Sequence, residues 1–322
     1  MKKILIFGVC GNTGKYLLDY FLNSELVDFE IIGIDMITCD YVEKNARFIQ
    51  MNINNKNEFD NLPSEDIFAV IDLIGPMPAR MEGYNPEEYV RTNIMGTFNV
   101  VQFCVEKKVD RFIYAKSFSD ILSRSEKDIT LTVDMSPSFD YGNQHSIYTV
   151  SQLAAVELIK CIHSYYSLKT FIIRLPTIYL WSKNDKYFVK GKIAKKMYLH
   201  MIDCAIDGKD VEVWGDPERS KDMLYVKDLC QMIYKACFVN RNEGYYNAGT
   251  GVGTSLINQV QGIIDVFDQS GKSKLNFCPE KPNAPQYIMD IKESVDELGY
   301  CPKYSYLDML RDMKIEGELN RF

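Results

Sequence analysis

Seven residues near the start, Gly8-Val9-Cys10-Gly11-Asn12-Thr13-Gly14, constrain the fold more than any other part of the chain. They follow a short apolar run, residues 3–7, that reads as a buried strand, and they open a helical stretch over residues 15–23. Glycines at this spacing permit a tight turn and let backbone N–H groups approach a pyrophosphate at a helix N-terminus. Alone the loop is weak, because glycines between a strand and a helix also serve backbone geometry. Asp35 strengthens it. It ends a second strand about 20 residues past the loop, where a carboxylate accepts hydrogen bonds from the adenosine ribose hydroxyls. A carboxylate there repels a 2′-phosphate, and Met36 brings no compensating cation, so NAD is favoured over NADP.

The first half of the chain alternates strands with helices. Residues 3–7, 30–34, 47–51, 68–73, 111–115 and 170–175 read as strands, several of them apolar almost throughout. Residues 15–23, 86–107 and 148–166 carry helical patterns. Strands apolar along their whole length belong in a parallel sheet covered on both faces, so the expected architecture is α/β, a Rossmann-type doubly wound parallel sheet. After Leu175 the pattern loosens and prolines accumulate, which points to a smaller, discontinuous C-terminal lobe. The expected division is a cofactor domain over 1–178 with returning segments at about 224–250, and a substrate lobe from 179–223 and 251–322.

Composition removes several functions. The 322 residues contain 44 acidic and 37 basic side chains, a balance that disfavours nucleic acid as the partner. No apolar run approaches the length of a membrane span, and the N-terminal run lacks the small-residue cleavage site of a secretory leader. Nine scattered cysteines without a Cys-x-x-Cys pair fit buried free thiols in a reducing cytoplasm. With only His145, His163 and His200, no metal site is expected.

Seven further islands carry a family resemblance: Thr92–Val100, Arg111–Ser117, Tyr148–Gln152 with Glu157, Arg174–Tyr179, Trp214–Asp228, Tyr246–Gly251 and Leu298–Pro302. In this order they resemble the extended short-chain dehydrogenase/reductases that act on nucleotide-linked sugars, the NAD-dependent epimerase/dehydratase group. The resemblance implies a cytoplasmic enzyme with bound NAD, and a homodimer built from helices 86–107 and 148–166. It places the cofactor along Gly8, Gly11, Asn12, Thr13, Gly14, Asp35, Met36, Asn52, Ile53, Leu73, Ile74, Gly75, Ala115, Tyr148, Gln152, Leu175 and Pro176. It assigns catalysis to Ser117, Tyr148, Asn93 and Gln152, with Ser119 the fallback for Ser117. Substrate contacts fall to Thr177, Lys192, Trp214, Arg219 and Lys221.

The chain departs from the family pattern at one informative place. The lysine that should follow Tyr148 by one helical turn is Gln152, so the tyrosine lacks its cation. A free phenol, with a pKa of about 10, is a poor base at neutral pH. Lys116 is the nearest cation in sequence, although strand alternation points it away from the Ser117 face. His145 is an alternative proton carrier. Phe118 and Ser119 stand where the family's dehydratases carry an acidic pair, which argues for an epimerase, dehydrogenase or reductase. Lys221 replaces an arginine of the diphosphate site, a point charge in place of a fork, with Arg219 and the cluster Lys190, Lys192, Lys195 and Lys196 as possible compensation or a solvated surface. Two classes remain: an enzyme oxidising, epimerising or reducing a sugar carbon, and a non-catalytic NAD-binding or redox-sensing protein of the same fold, which the Asn12-Thr13 loop resembles.

Overall fold

Alternation along the first strand sets the layering. In strand β1, Lys2–Phe7, Ile4 and Ile6 bury on one face while Leu5 and Phe7 bury on the other. All four are fully covered, which is possible only when helices close both faces of the sheet. The computed structural model describes residues 1–26, 28–77, 83–126, 129–183, 186–189 and 192–322.

Helix α1, Asn12–Leu22, returns the chain to strand β2, Phe29–Asp35. Helix α2, Asp40–Asn45, precedes β3, Arg47–Gln50, and the chain then crosses to β4, Ile67–Asp72. The stretch expected as one helix over 86–107 is divided. A turn at Pro86–Glu88 leads into a wide π-helical segment, Tyr89–Gly96, and then into helix α3, Thr97–Glu106. Strand β5, Arg111–Ser117, helix α4, Ser146–Tyr166, and strand β6, Lys169–Leu175, follow. A seventh strand, β7, Glu243–Asn247, pairs with β6. The order is β7-β6-β5-β4-β1-β2-β3, parallel throughout. Direction of travel reverses between β1 and β4, the position at which doubly wound sheets open a ligand crevice.

The elements after β6 pack on the sheet face that carries Ile4, Ile6, Ala69, Ile71, Ile113 and Phe171. Helix α5, Met197–Ile206, a parallel pair Val211–Trp214 with Leu275–Cys278, and helix α7, Leu256–Phe267, carry Leu199, Ile202, Val213, Val260 and Ile263 into the cluster that begins at Ile4 and Ile6. Helix α6, Val226–Phe238, lies beside α1. Helix α8, Lys292–Leu298, packs on α6 and β7, and helix α9, Tyr306–Leu319, on α7. One apolar cluster therefore runs from this sheet face into the later helices.

Two buried carboxylates hold the late segments. Asp222 accepts N–H bonds from Thr250, Gly251 and Met289, fixing the Gly249–Gly251 turn. Asp228 accepts from the N–H groups of Lys303 and Tyr304. Tyr300 then donates to the carbonyl of Gly249 at 2.8 Å. The islands at 214–228, 246–251 and 298–302 are thus joined by hydrogen bonds through Asp222, Asp228 and Tyr300. Among the described residues no helix is long and apolar enough to cross a membrane.

Candidate active site

The glycine loop is built for close approach. Gly8 has φ +81°, a conformation that side chains rarely adopt. A Cβ on Gly14 would fall 2.7 Å from the Val9 Cα, so only glycine lets α1 start against the loop. Asp35, 8% exposed, accepts from the Cys10 N–H at 3.0 Å and from the Ile37 N–H at 3.3 Å. Burial raises its pKa above the usual carboxylate value, and the backbone donors oppose that rise. Met36 beside it is exposed. Asn52 and Ile53 follow β3, Ile53 buried and Asn52 accepting the N–H of Asn54.

From the loop a cavity of about 750 Å³ runs along the carboxyl ends of the strands into the second lobe. Asn12, Thr13, Leu73, Ile74, Gly75, Ala115, Leu175 and Pro176 wall its first half. These groups fit a dinucleotide: glycine-bounded backbone for a pyrophosphate and apolar walls for a flat ring, with the Asp35 carboxylate outside the cavity walls and bound to the loop through the Cys10 N–H.

Ser117, Tyr148 and Gln152 meet at the middle of the cavity. The Ser117 and Gln152 side chains adjoin the Tyr148 hydroxyl and favour its ionised form. The Ser117 Oγ also accepts from the Ser119 N–H at 3.2 Å, and the Ser117 N–H donates to the Gln152 Oε1 at 2.7 Å. Gln152 therefore ties α4 to the end of β5, which a lysine, having no acceptor, cannot do. Asn93, on the π-helical segment, donates to the Ser151 Oγ at 2.9 Å, and Ser151 donates to the Tyr148 carbonyl at 2.8 Å. The Tyr148 pKa is pushed up to about 12, first by burial, with the Ser117 and Gln152 side chains opposing the rise and nearby Tyr89 adding to it.

Neither alternative cation stands at the phenol. Lys116 borders the cavity, but its ammonium is 2.6 Å from the Asp120 carboxylate in a buried ion pair. His145 is exposed at the start of α4 and is not a cavity wall. Among the described residues no carboxylate and no imidazole lines the cavity. Phe118 packs on Tyr287 at 4.8 Å between ring centres, and the Ser119 Oγ accepts from Thr149 at 2.9 Å.

The second half is walled by Thr177, Tyr179, Tyr198, Met201, Trp214, Lys221, Met223 and Tyr306, with Lys196 also reaching it. The Lys221 ammonium lies 5.8 Å from the centre of the Tyr179 ring, and burial lowers its pKa. Lys192 is exposed on a hairpin, and the Arg219 Nε donates to the Ala284 carbonyl at 2.6 Å; neither lines the cavity. Lys190 falls outside the described residues. Lys195 pairs with Asp203. Sequence reasoning passed over Met197, Met201, Leu256 and Ile263, apolar residues of two amphipathic helices with nothing to separate cavity wall from ordinary core.

A glycine-cradled parallel sheet with a serine–tyrosine pair at the carboxyl end of β5 defines a dinucleotide-binding enzyme of the Rossmann class. The model of the family described as NAD dependent epimerase/dehydratase matches residues 4–249, and the chain belongs to that NAD-dependent enzyme family. A dTDP-glucose 4,6-dehydratase of Haemophilus influenzae is 27% identical over 99% of this chain and 92% of that protein. A putative UDP-glucose 4-epimerase of Methanocaldococcus jannaschii is 22% identical over 93% of each. Among solved structures, the UDP-glucose 4-epimerase of Thermotoga maritima with UDP-glucose superposes with a TM-score of 0.78 at 20% identity, covering 98% of this chain and 99% of that one. The UDP-glucuronic acid 4-epimerase of Bacillus cereus in complex with NAD gives 0.74 at 21%, covering 98% and 96%.

Proposed function

We propose that this chain oxidises, epimerises or reduces one carbon of a nucleotide-activated sugar. The observation that carries the reading is the Ser117–Tyr148 hydroxyl pair, set where the glycine-loop half of the cavity meets the half walled by Lys221 and aromatic rings. When bound, NAD supplies a hydride acceptor and donor. The chain's own residues do the rest. Ser117 donates to the sugar oxygen as negative charge develops there. Tyr148 takes and returns the hydroxyl proton. Gln152 holds Ser117 and the nicotinamide ribose, and Asn93 fixes the turn of α4 that carries Tyr148. Lys221 neutralises the diphosphate, and the aromatic walls take the base.

Dehydration is disfavoured because it needs an acid and a base at neighbouring carbons, and the described cavity walls offer no carboxylate. The test is a panel of nucleotide sugars followed by NADH absorbance and by product chromatography. Turnover of one member supports the proposal; retained NAD with no member bound or converted favours a non-catalytic NAD-binding role.

Val90, Met95, Ile147 and Val150, each at least 40% exposed, line the outer faces of the π-helical segment and α4. We propose that a second copy covers them in a homodimer, which light scattering on a sizing column tests.

A further inference from the structure

In the far half of the cavity, where the proposed reaction seats the nucleotide, the polar heads of the lining side chains are turned to protein partners. The Tyr198 hydroxyl, at the start of α5, donates to the Leu180 carbonyl at 2.9 Å. The Tyr306 hydroxyl, at the start of α9, donates to the Gln259 carbonyl at 2.7 Å, and the Gln259 Nε2 donates to the Thr254 carbonyl at 2.6 Å. The Trp214 Nε1 donates to the Glu212 carboxylate at 2.6 Å. At the exposed rim, the Asn283 Oδ1 accepts the Asp216 N–H at 2.9 Å. All five side chains line the cavity. Nearby backbone is engaged in the same way. Trp214 ends a strand paired with Leu275–Cys278, the Gly215 N–H donates to the Cys278 carbonyl at 3.0 Å, and the Ala284 carbonyl accepts from Arg219.

Resting on the reading of this half as a nucleotide-sugar site, we propose that it accepts nucleoside diphosphate sugars of purines and pyrimidines with little discrimination among bases, so that selection falls on the sugar. The walls offer aromatic rings and the thioether chains of Met197, Met201 and Met223. A ring stacks on any base, because every base has a π-face. An unbranched thioether chain adapts to the shape set against it. Neither reads the donors and acceptors along a base edge. Lys221, 5.8 Å from the centre of the Tyr179 ring, meets a diphosphate as a point charge and is equally indifferent to the base. A site that hydrogen-bonds a group of its ligand rejects the analogue lacking that group by about 10,000-fold or more, because its own buried polar atoms are left unpaired. With the hydroxyls of Tyr198 and Tyr306 and the Trp214 N–H already paired within the protein, a change of base strands none of them.

The experiment titrates UDP, dTDP, CDP and GDP into the full chain by calorimetry, with saturating NAD to keep the probes out of the cofactor half. The expected result is four dissociation constants within about tenfold of one another, and a Lys221→Met variant that weakens all four by a similar factor of about tenfold or more. Tyr198→Phe and Tyr306→Phe delete hydroxyls that already have partners, so each should keep the four affinities in the same ratio. A spread beyond about tenfold, or a hydroxyl deletion that weakens one base alone, overturns the proposal. If none of the four binds and UDP-glucose does not bind either, the nucleotide-sugar reading falls and takes this inference with it. One strongly preferred base leaves that reading standing and removes base tolerance alone.

Discussion

The Lys116 ammonium stands 2.6 Å from the Asp120 carboxylate, and each of these side chains is 1% exposed. Arg174 approaches the same carboxylate at 3.4 Å. Burial lowers the Lys116 pKa to about 8, with the Asp120 charge opposing the fall. This lysine is committed to a buried ion pair and is not a substitute for the cation missing at Gln152. Lys116→Met should leave a poorly compensated buried carboxylate and cost about 3 kcal/mol in urea unfolding. The pH at which turnover rises should stay where it was. A variant of unchanged stability with a displaced pH profile would reverse the assignment.

Tyr148→Phe deletes one hydroxyl and conserves the ring that packs on Tyr89 at 5.7 Å between centres. Turnover on the true substrate should fall by about 100-fold or more, while NAD affinity by calorimetry stays within a factor of about two. A wild-type rate would move the proton carrier elsewhere in the cavity.

With the Tyr148 pKa near 12, the base form is scarce at neutrality, and turnover should climb with pH well above 7. Gln152→Lys should shift that rise toward neutral pH, each unit being worth about 1.4 kcal/mol. The same change removes the acceptor for the Ser117 N–H and should cost about 1 kcal/mol of stability. A pH–rate profile identical to wild type would show that the phenol is set by something other than position 152.

Asp35 accepts from two backbone donors, the N–H groups of Cys10 and Ile37, and on the proposed reading also meets the adenosine ribose. NAD should bind at least about tenfold more tightly than NADP, and Asp35→Ala should narrow the ratio. Because that variant also strands the Cys10 N–H, NAD itself should bind less well. Equal calorimetric affinities in the unmodified protein would remove Asp35 from this role.

Asp72 ends β4 fully buried, accepting from the Ile74 N–H at 2.9 Å, and burial pushes its pKa up to about 7. The folded chain thus holds this proton more tightly than the unfolded one. Its contribution is complete below about pH 4 and is lost as pH rises through about 7. Asp72→Asn keeps an acceptor for Ile74 and has no charge to bury. It should match wild type near pH 4 and be more stable by about 2 kcal/mol above pH 7 in denaturant titrations. Parallel stability curves from pH 4 to 8 would count against it.

Most of the sheet was legible because strands covered on both faces are written as short apolar runs, and five of the six expected strands begin and end within a residue of Lys2–Phe7, Phe29–Asp35, Arg47–Gln50, Ile67–Asp72 and Lys169–Leu175. Strand β5 ran two residues further, to Ser117. The seventh strand, Glu243–Asn247, was not read as one; its residues fell only within the returning segment expected at about 224–250. The meeting of Ser117, Tyr148 and Gln152 was readable from family spacing. The Lys116–Asp120 pair was not, because its geometry depends on a loop folding back after β5. Asp72 gave no signal either: one carboxyl in an apolar run looks like a strand end. The π-helical segment carries no proline or glycine pair that would flag it in advance.

That segment, Tyr89–Gly96, holds Asn93 against Ser151, and Gly96 sits where a Cβ would come 2.6 Å from Ile53. A π turn is an α-helix with one residue too many. Losing any single residue from it would let the backbone relax to ordinary α hydrogen bonding, at little cost to the helix itself. It would also rotate the residues on one side of the deletion by about 100° relative to the other. Asn93 and Gly96 can face their neighbours together only while the surplus residue is kept. In this chain the position of the site asparagine depends on counting as well as on chemistry, and a lineage that trimmed the helix would lose the contact without changing a single side chain.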